Sequence, residues 1–114
     1  MAMTEIDFTR DICPDVRRFR LDADNAKATQ VNIPHWVKKI TVRVEFGPGC
    51  RIAFKEGTGD DIHDDFIKLD GHAANEFSFW DGYNVANGIN KIYIANLASY
   101  TSENWVSVMV EGEK

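Results

Sequence analysis

VKKITVRVEFGPGCRIAFK, residues 37–55, governs the reading of the whole chain. Its first ten residues alternate: Ile40, Val42, Val44 and Phe46 fall between Thr41, Arg43 and Glu45. A period of two sends apolar side chains to one face of an extended strand and polar ones to the other. Gly47, Pro48 and Gly49 then turn the chain, because proline presets φ and glycine accepts positive φ. Past the turn, Ile52 and Phe54 are in phase inward and Arg51, Ala53 and Lys55 outward. Two alternating runs across a short glycine-containing turn predict a β-hairpin.

The same rhythm recurs on both sides of this stretch. Phe19 and Leu21 point inward in residues 18–21, as do Val31 and Ile33 in residues 29–33, a run ended by Pro34. Ile67 and Leu69 follow in residues 66–69, stopped by Asp70 and Gly71. Phe77 and Phe79 follow in residues 76–80, stopped by Asp81 and Gly82. Ile92 and Ile94 open residues 91–97, and Val106, Val108 and Val110 fill residues 105–110. About eight short strands, spaced by roughly ten residues, predict a sandwich or barrel. Half-polar strands belong to antiparallel sheets with one wet face. The expected fold is all-β, an antiparallel two-sheet β-sandwich of jelly-roll type, with a closed barrel as the alternative. Residues 1–15 are expected to form an N-terminal segment or arm, an ordered first strand being the other option. Residues 16–114 form a single β-sandwich domain in this reading.

At 114 residues and 44% hydrophobic, the chain can close one core without metals or several disulfides. Its net charge is −5, and apart from Arg17, Arg18, Arg20 and the pair Lys38–Lys39 its cations are scattered. A polyanion needs a basic face, so no nucleic-acid partner is expected. No apolar run approaches the roughly 20 residues of a membrane span. The start, MAMTEIDFTRD, carries no apolar targeting core. A soluble protein made in a cytoplasm is expected, with no membrane association. Cys13 and Cys50 lie in no metal-binding spacing and are read as free thiols, a Cys13–Cys50 disulfide being the alternative.

Residues 57–66, GTGDDIHDDF, concentrate carboxylates around a histidine. The acids come as adjacent pairs, Asp60–Asp61 and Asp64–Asp65, and adjacent side chains of an extended segment diverge. Calcium loops instead alternate their acids. Asp61 and His63 share a side, yet two ligands fall short of a transition-metal site. Residues 57–65 therefore read as a solvated turn, with divalent-cation binding as the alternative. His35 and His72 sit at turns, and no HxH pair occurs. Ser78, Ser99, Ser102 and Ser107 lack a nucleophile elbow. No catalytic residue, no cofactor and no metal ligand is assigned, and the chain is read as a non-enzyme.

Recognition then falls to the surface. Trp36 is at a turn, Trp80 is out of phase with Phe77 and Phe79, and Trp105 is out of phase with Val106 and Val108. Tyr83, Tyr93 and Tyr100 are placed similarly. Exposed large aromatics mark contact surfaces. Trp36, Trp80, Tyr83 and Trp105, with Arg18 and Arg20, are the candidate interface or ligand surface. The loop WDGYNVANGIN, residues 80–90, suits either stacking on sugar rings or burial against another subunit.

The order of IPHWVKKITVRVEF, CRIAF, FIKLDGHAANEFSF, NKIYIANLA and WVSVMVEGE resembles small β-structured virion proteins of tailed bacteriophages. The features are Ile33–Pro34–His35–Trp36, Arg51 to Phe54, Leu69–Asp70–Gly71, Phe77 with Phe79, Ile92–Tyr93–Ile94 and Val106 to Val110. The resemblance covers roughly residues 30 to 112 and rests on strands and turns. It implies a virion structural protein, a capsid decoration (cement) protein or a tail, neck or fibre component. A homo-oligomer, a trimer included, would dock on the major capsid protein or another virion protein. A carbohydrate- or receptor-binding module with glycan partners is the alternative.

Overall fold

The computed structural model describes residues 4–8, 14–34, 37–55, 57–59, 61–78, 91–97 and 104–112. These form nine strands: β1 (Thr4–Asp7), β2 (Asp15–Arg20), β3 (Thr29–Asn32), β4 (Val37–Phe46), β5 (Gly49–Ala53), β6 (Ile67–Asp70), β7 (Ala74–Ser78), β8 (Lys91–Asn96) and β9 (Trp105–Gly112). They build a five-stranded sheet, β1-β3-β8-β5-β6, and a four-stranded sheet, β2-β9-β4-β7. Strands β2 to β9 divide between the sheets in the order of two interlocked Greek keys, which is the jelly roll. The all-β two-sheet sandwich expected from the alternation is the fold observed.

Alternation works as expected on the inner faces. Ile40, Val42 and Val44 of β4 stand opposite Val110, Val108 and Val106 of β9. The other inner face supplies Val31, Ile52, Ile92 and Ile94, and all of these side chains are fully buried. Phe54 and Phe77 close one side of the sandwich, edge to face with ring centroids 5.2 Å apart.

Residues 37–55 do not form a hairpin. β4 pairs with β7 and β9, whereas β5 pairs with β6 and β8, so Gly47, Pro48 and Gly49 carry the chain across from one sheet to the other. Period-two patterning reports which face is buried and not which strand lies alongside, so a hairpin and a corner share one signature. Gly47 and Gly49 have φ of 109° and 132°, values open to glycine. A Cβ on Gly49 would also collide with the Leu69 carbonyl. Buried Asn104 ties the corner down, its Nδ2 donating to the Gly49 carbonyl (3.0 Å) and to Asn96 Oδ1.

Four side chains depart from the expected burial. Phe46 is 53% exposed, because the β4–β9 register slips between Val44 and Phe46 and turns it to the outer face. Ile67, opposite Ile52, is 40% exposed because it begins an edge strand. Ala53 and Tyr93 face outward as expected and are nonetheless buried, packed with Ala28, Ala95 and Ile62 in a second, smaller core. Connecting segments fold over this part of the five-stranded sheet. One pair is parallel, not antiparallel: β1 lies along β3, because the chain visits the other sheet as β2 in between.

Cys50 is a free, buried thiol on the inner side of the corner. Burial pushes its pKa from 9.0 up to about 12. Cys13 lies outside the described residues.

Two outcomes are expected. Gly49→Ala lowers stability by more than about 1 kcal/mol in urea unfolding, since alanine disfavours positive φ and meets the Leu69 carbonyl. For Cys50, the unfolded thiol ionises above pH 9 while the folded one keeps its proton up to about 12. The unfolded state then binds fewer protons, so stability falls as pH rises through that window. Unfolding curves of Cys50→Val over the same window show a shallower decline.

Candidate binding surface

Two regions attracted attention in the sequence, the acidic loop and the aromatic–arginine set. The loop is anchored by a cation from the sheet beneath it. Arg51, on the outer face of β5, has a side chain only 14% exposed. Its Nε donates to the Asn96 carbonyl (3.1 Å) and its Nη2 to the Asn25 carbonyl. Its guanidinium lies 3.7 Å from Asp61 Oδ1 and 5.3 Å from the centre of the Phe66 ring. Arg51 therefore joins two connections, residues 22–28 and residues 57–66, to the sheet they cover. Between these anchors Ile62 enters the small core.

Two of the acidic side chains, Asp61 and Asp65, are engaged in local contacts. Asp61 Oδ1 also accepts the Ile62 amide at 2.7 Å. Asp65 pairs with Lys55 at 3.2 Å, and its amide donates to His63 Nδ1 at 2.9 Å. Asp61 and His63 do line one hollow of about 220 Å³, as their shared side implies. The lone pair His63 would offer a metal at Nδ1 is already engaged. Among the described residues no group of three His, Cys, Asp or Glu side chains could hold a metal ion. Asp60 lies outside the described residues.

Of the aromatic–arginine set, Trp36, Trp80 and Tyr83 lie outside the described residues, together with Tyr100 and the loop 80–90. Arg18, Arg20 and Trp105 are brought together. β2 lies against β9 so that Arg20 stands opposite Trp105 and Arg18 opposite Ser107. The Arg18 guanidinium sits 4.3 Å from the centre of the Trp105 ring, and its Nε is 2.5 Å from Glu45 Oε2. A cation over an indole face in an exposed setting contributes about 0.5–1 kcal/mol. Stacking and pairing hold both side chains in one arrangement on the outer face of the four-stranded sheet. On the far side of β9, Phe46 stands opposite Trp105 and Arg43 opposite Ser107. Sequence reading missed Phe46 and Arg43, because the register slip that turns Phe46 outward leaves no trace in the residue pattern.

No protein-family profile and no curated protein sequence matches the chain. A solved structure does. The crystal structure of PliG from Aeromonas hydrophila, a periplasmic inhibitor of g-type lysozyme, superposes with a TM-score of 0.54. The likeness runs over 97% of this chain and 97% of that one, at 10% sequence identity. It is a likeness of fold. It overturns the expectation of a phage virion protein decorating a capsid: the architecture matched end to end is that of a bacterial periplasmic inhibitor. The strand-and-turn order that suggested a virion protein is carried by many jelly rolls, since it records buried faces and corners and no binding chemistry. That neighbour is periplasmic and lends no support to a virion location. Among the described residues no helix is long and apolar enough to cross a membrane.

Arg51→Ala is expected to cost about 1–3 kcal/mol, because it leaves the Asn25 and Asn96 carbonyls without their donor. Hydrogen exchange then quickens in residues 22–28 and 57–66 before it does in β4 and β9. Uniform quickening across the chain would refute the anchoring role.

Proposed function

We propose that this chain is a non-catalytic binding protein that inhibits a lysozyme-type glycoside hydrolase. The observation that carries the reading is the likeness of fold to the PliG structure, which extends over 97% of both chains. An inhibitor needs a stiff body and a surface that presents fixed side chains, since ordering loops on binding consumes affinity. The jelly roll provides the stiffness: the central strands of both inner faces are fully buried, and the acidic connection is tied back by Arg51. The side chains of Arg18 and Trp105 are held by each other before any partner arrives. Cysteine usage fits an oxidising compartment as well as a reducing one. Cys50 is buried with a pKa of about 12 and has neither the access nor the thiolate needed to react.

The direct test adds purified protein to g-type lysozyme and follows clearing of a peptidoglycan suspension. Lysis is expected to stop at a stoichiometric ratio near one to one, with a complex visible by size-exclusion chromatography. Undiminished lysis at a large molar excess would falsify the proposal.

A further inference from the structure

We infer that the outer face of the four-stranded sheet grips the partner enzyme, with Trp105 and Phe46 as apolar anchors and Arg20 and Arg43 directed at the paired carboxylates of a glycoside-hydrolase cleft. This rests on the inhibitor reading above.

Three observations carry it. The first is exposed apolar surface where a sheet's wet face should be polar. Phe46 is 53% exposed and Val16 51%, and both sit on this face beside Trp105 and Met109. Two partly exposed apolar pairs, Phe46 with Trp105 and Val16 with Met109, on one sheet face mark a contact site, and tryptophan and arginine are the side chains that dominate such contacts.

The second is unspent positive charge. Lys39 is answered by Glu111 at 3.4 Å and Glu76 at 3.8 Å, and Arg18 by Glu45. Arg20 and Arg43, both exposed, make no ion pair among the described residues. The chain as a whole carries −5, so this face is a local reversal of sign. It steers toward an anionic site on a partner and away from the rest of a second copy.

The third is spacing. Arg20 shares its row with Trp105 and Phe46, and Arg43 shares the next row with Ser107 and Arg18. Two strands across and two residues along, their Cα atoms lie roughly 12 Å apart. The Arg18–Glu45 pair crosses β9 between them, so the two arginines flank a neutralised pair. The catalytic carboxylates of glycoside hydrolases stand about 5–9.5 Å apart, within the joint reach of two arginine side chains. Arginine forks bind carboxylates in bidentate geometry. An occupied pair would leave the cleft with neither a free acid nor a free base.

The test compares the double variant Arg20→Glu/Arg43→Glu with Lys27→Glu/Lys68→Glu, an equal charge change at exposed sites away from this face. Inhibition of g-type lysozyme is expected to weaken at least tenfold in the arginine variant, about the scale of a hot-spot loss. The salt dependence of association flattens with it, while the lysine variant matches wild type. Trp105→Ala gives a second reading of the same face, and because the two arginines are exposed their exchange leaves the fold intact if Trp105→Ala does not. Full inhibition by the arginine variant overturns the inference and leaves the inhibitor reading standing, as does an equal loss in both double variants. Self-association of the wild type through this face, broken by the same arginine exchange, also overturns it. A wild-type protein that fails to inhibit at all removes both.

Discussion

Three directly opposed pairs hold the four-stranded sheet to its register: Ile40 with Val110, Val42 with Val108 and Val44 with Val106. Each side chain is fully buried against the other sheet. Cross-strand pairing of β-branched residues adds to their burial, and a slip of one residue would turn the whole row to solvent. Everything else in the molecule is positioned relative to this block. The corner at residues 47–49 leaves from its end, β7 lies along one flank, and β2 joins the sheet as the strand neighbour of β9.

The two sheets have four faces, and the structure uses them unequally. Two meet in the main core. Much of the outer face of the five-stranded sheet lies beneath connections secured by Arg51, while its β1–β3 margin carries a polar ladder in which Gln30 and Asn32 donate to Glu5 and Asp7. Among the described residues nothing folds over the outer face of the four-stranded sheet, and apolar and cationic side chains stand on it. The acidic segment that first suggested chemistry thus acts as a lid on one sheet, and the surface available for recognition lies on the other.

The sequence made the layering legible and left the connectivity hidden. Alternation identified Val42, Val44, Ile92, Ile94, Val106 and Val108 as inward because burial of one face is what that period encodes. It could not tell that β4 and β5 part company at Gly47, since turning back and crossing over place apolar groups on the same side. Tyr93 and Ala53 were read correctly as outward but not as buried, because the cover over them comes from residues distant in the chain. Arg18, Arg20 and Trp105 were singled out as separate signals; their convergence depends on the pairing of β2 with β9, strands that lie far apart in the chain where Asp15 meets Val110. Phe46 escaped notice because a slipped register is a property of two strands together. Functional class was the least legible, because a jelly roll announces its core and not its partner.

The arrangement β2-β9-β4-β7 puts the latest strand between the earliest and the middle of its sheet. During synthesis β4 and β7 can associate once both have emerged, whereas β2 must wait with its hydrogen-bonding edge empty until β9 is made. Nucleation on the ribosome is therefore confined to a partial sandwich, and completion is a late zipping event that closes the longest loop in the chain. Such long-range closure places jelly rolls among the slower-folding small domains, on a timescale of about milliseconds to seconds. The nascent chain spends that interval with Phe19 and Val42 accessible to chaperones, which makes the final strand the point of commitment for the whole polypeptide.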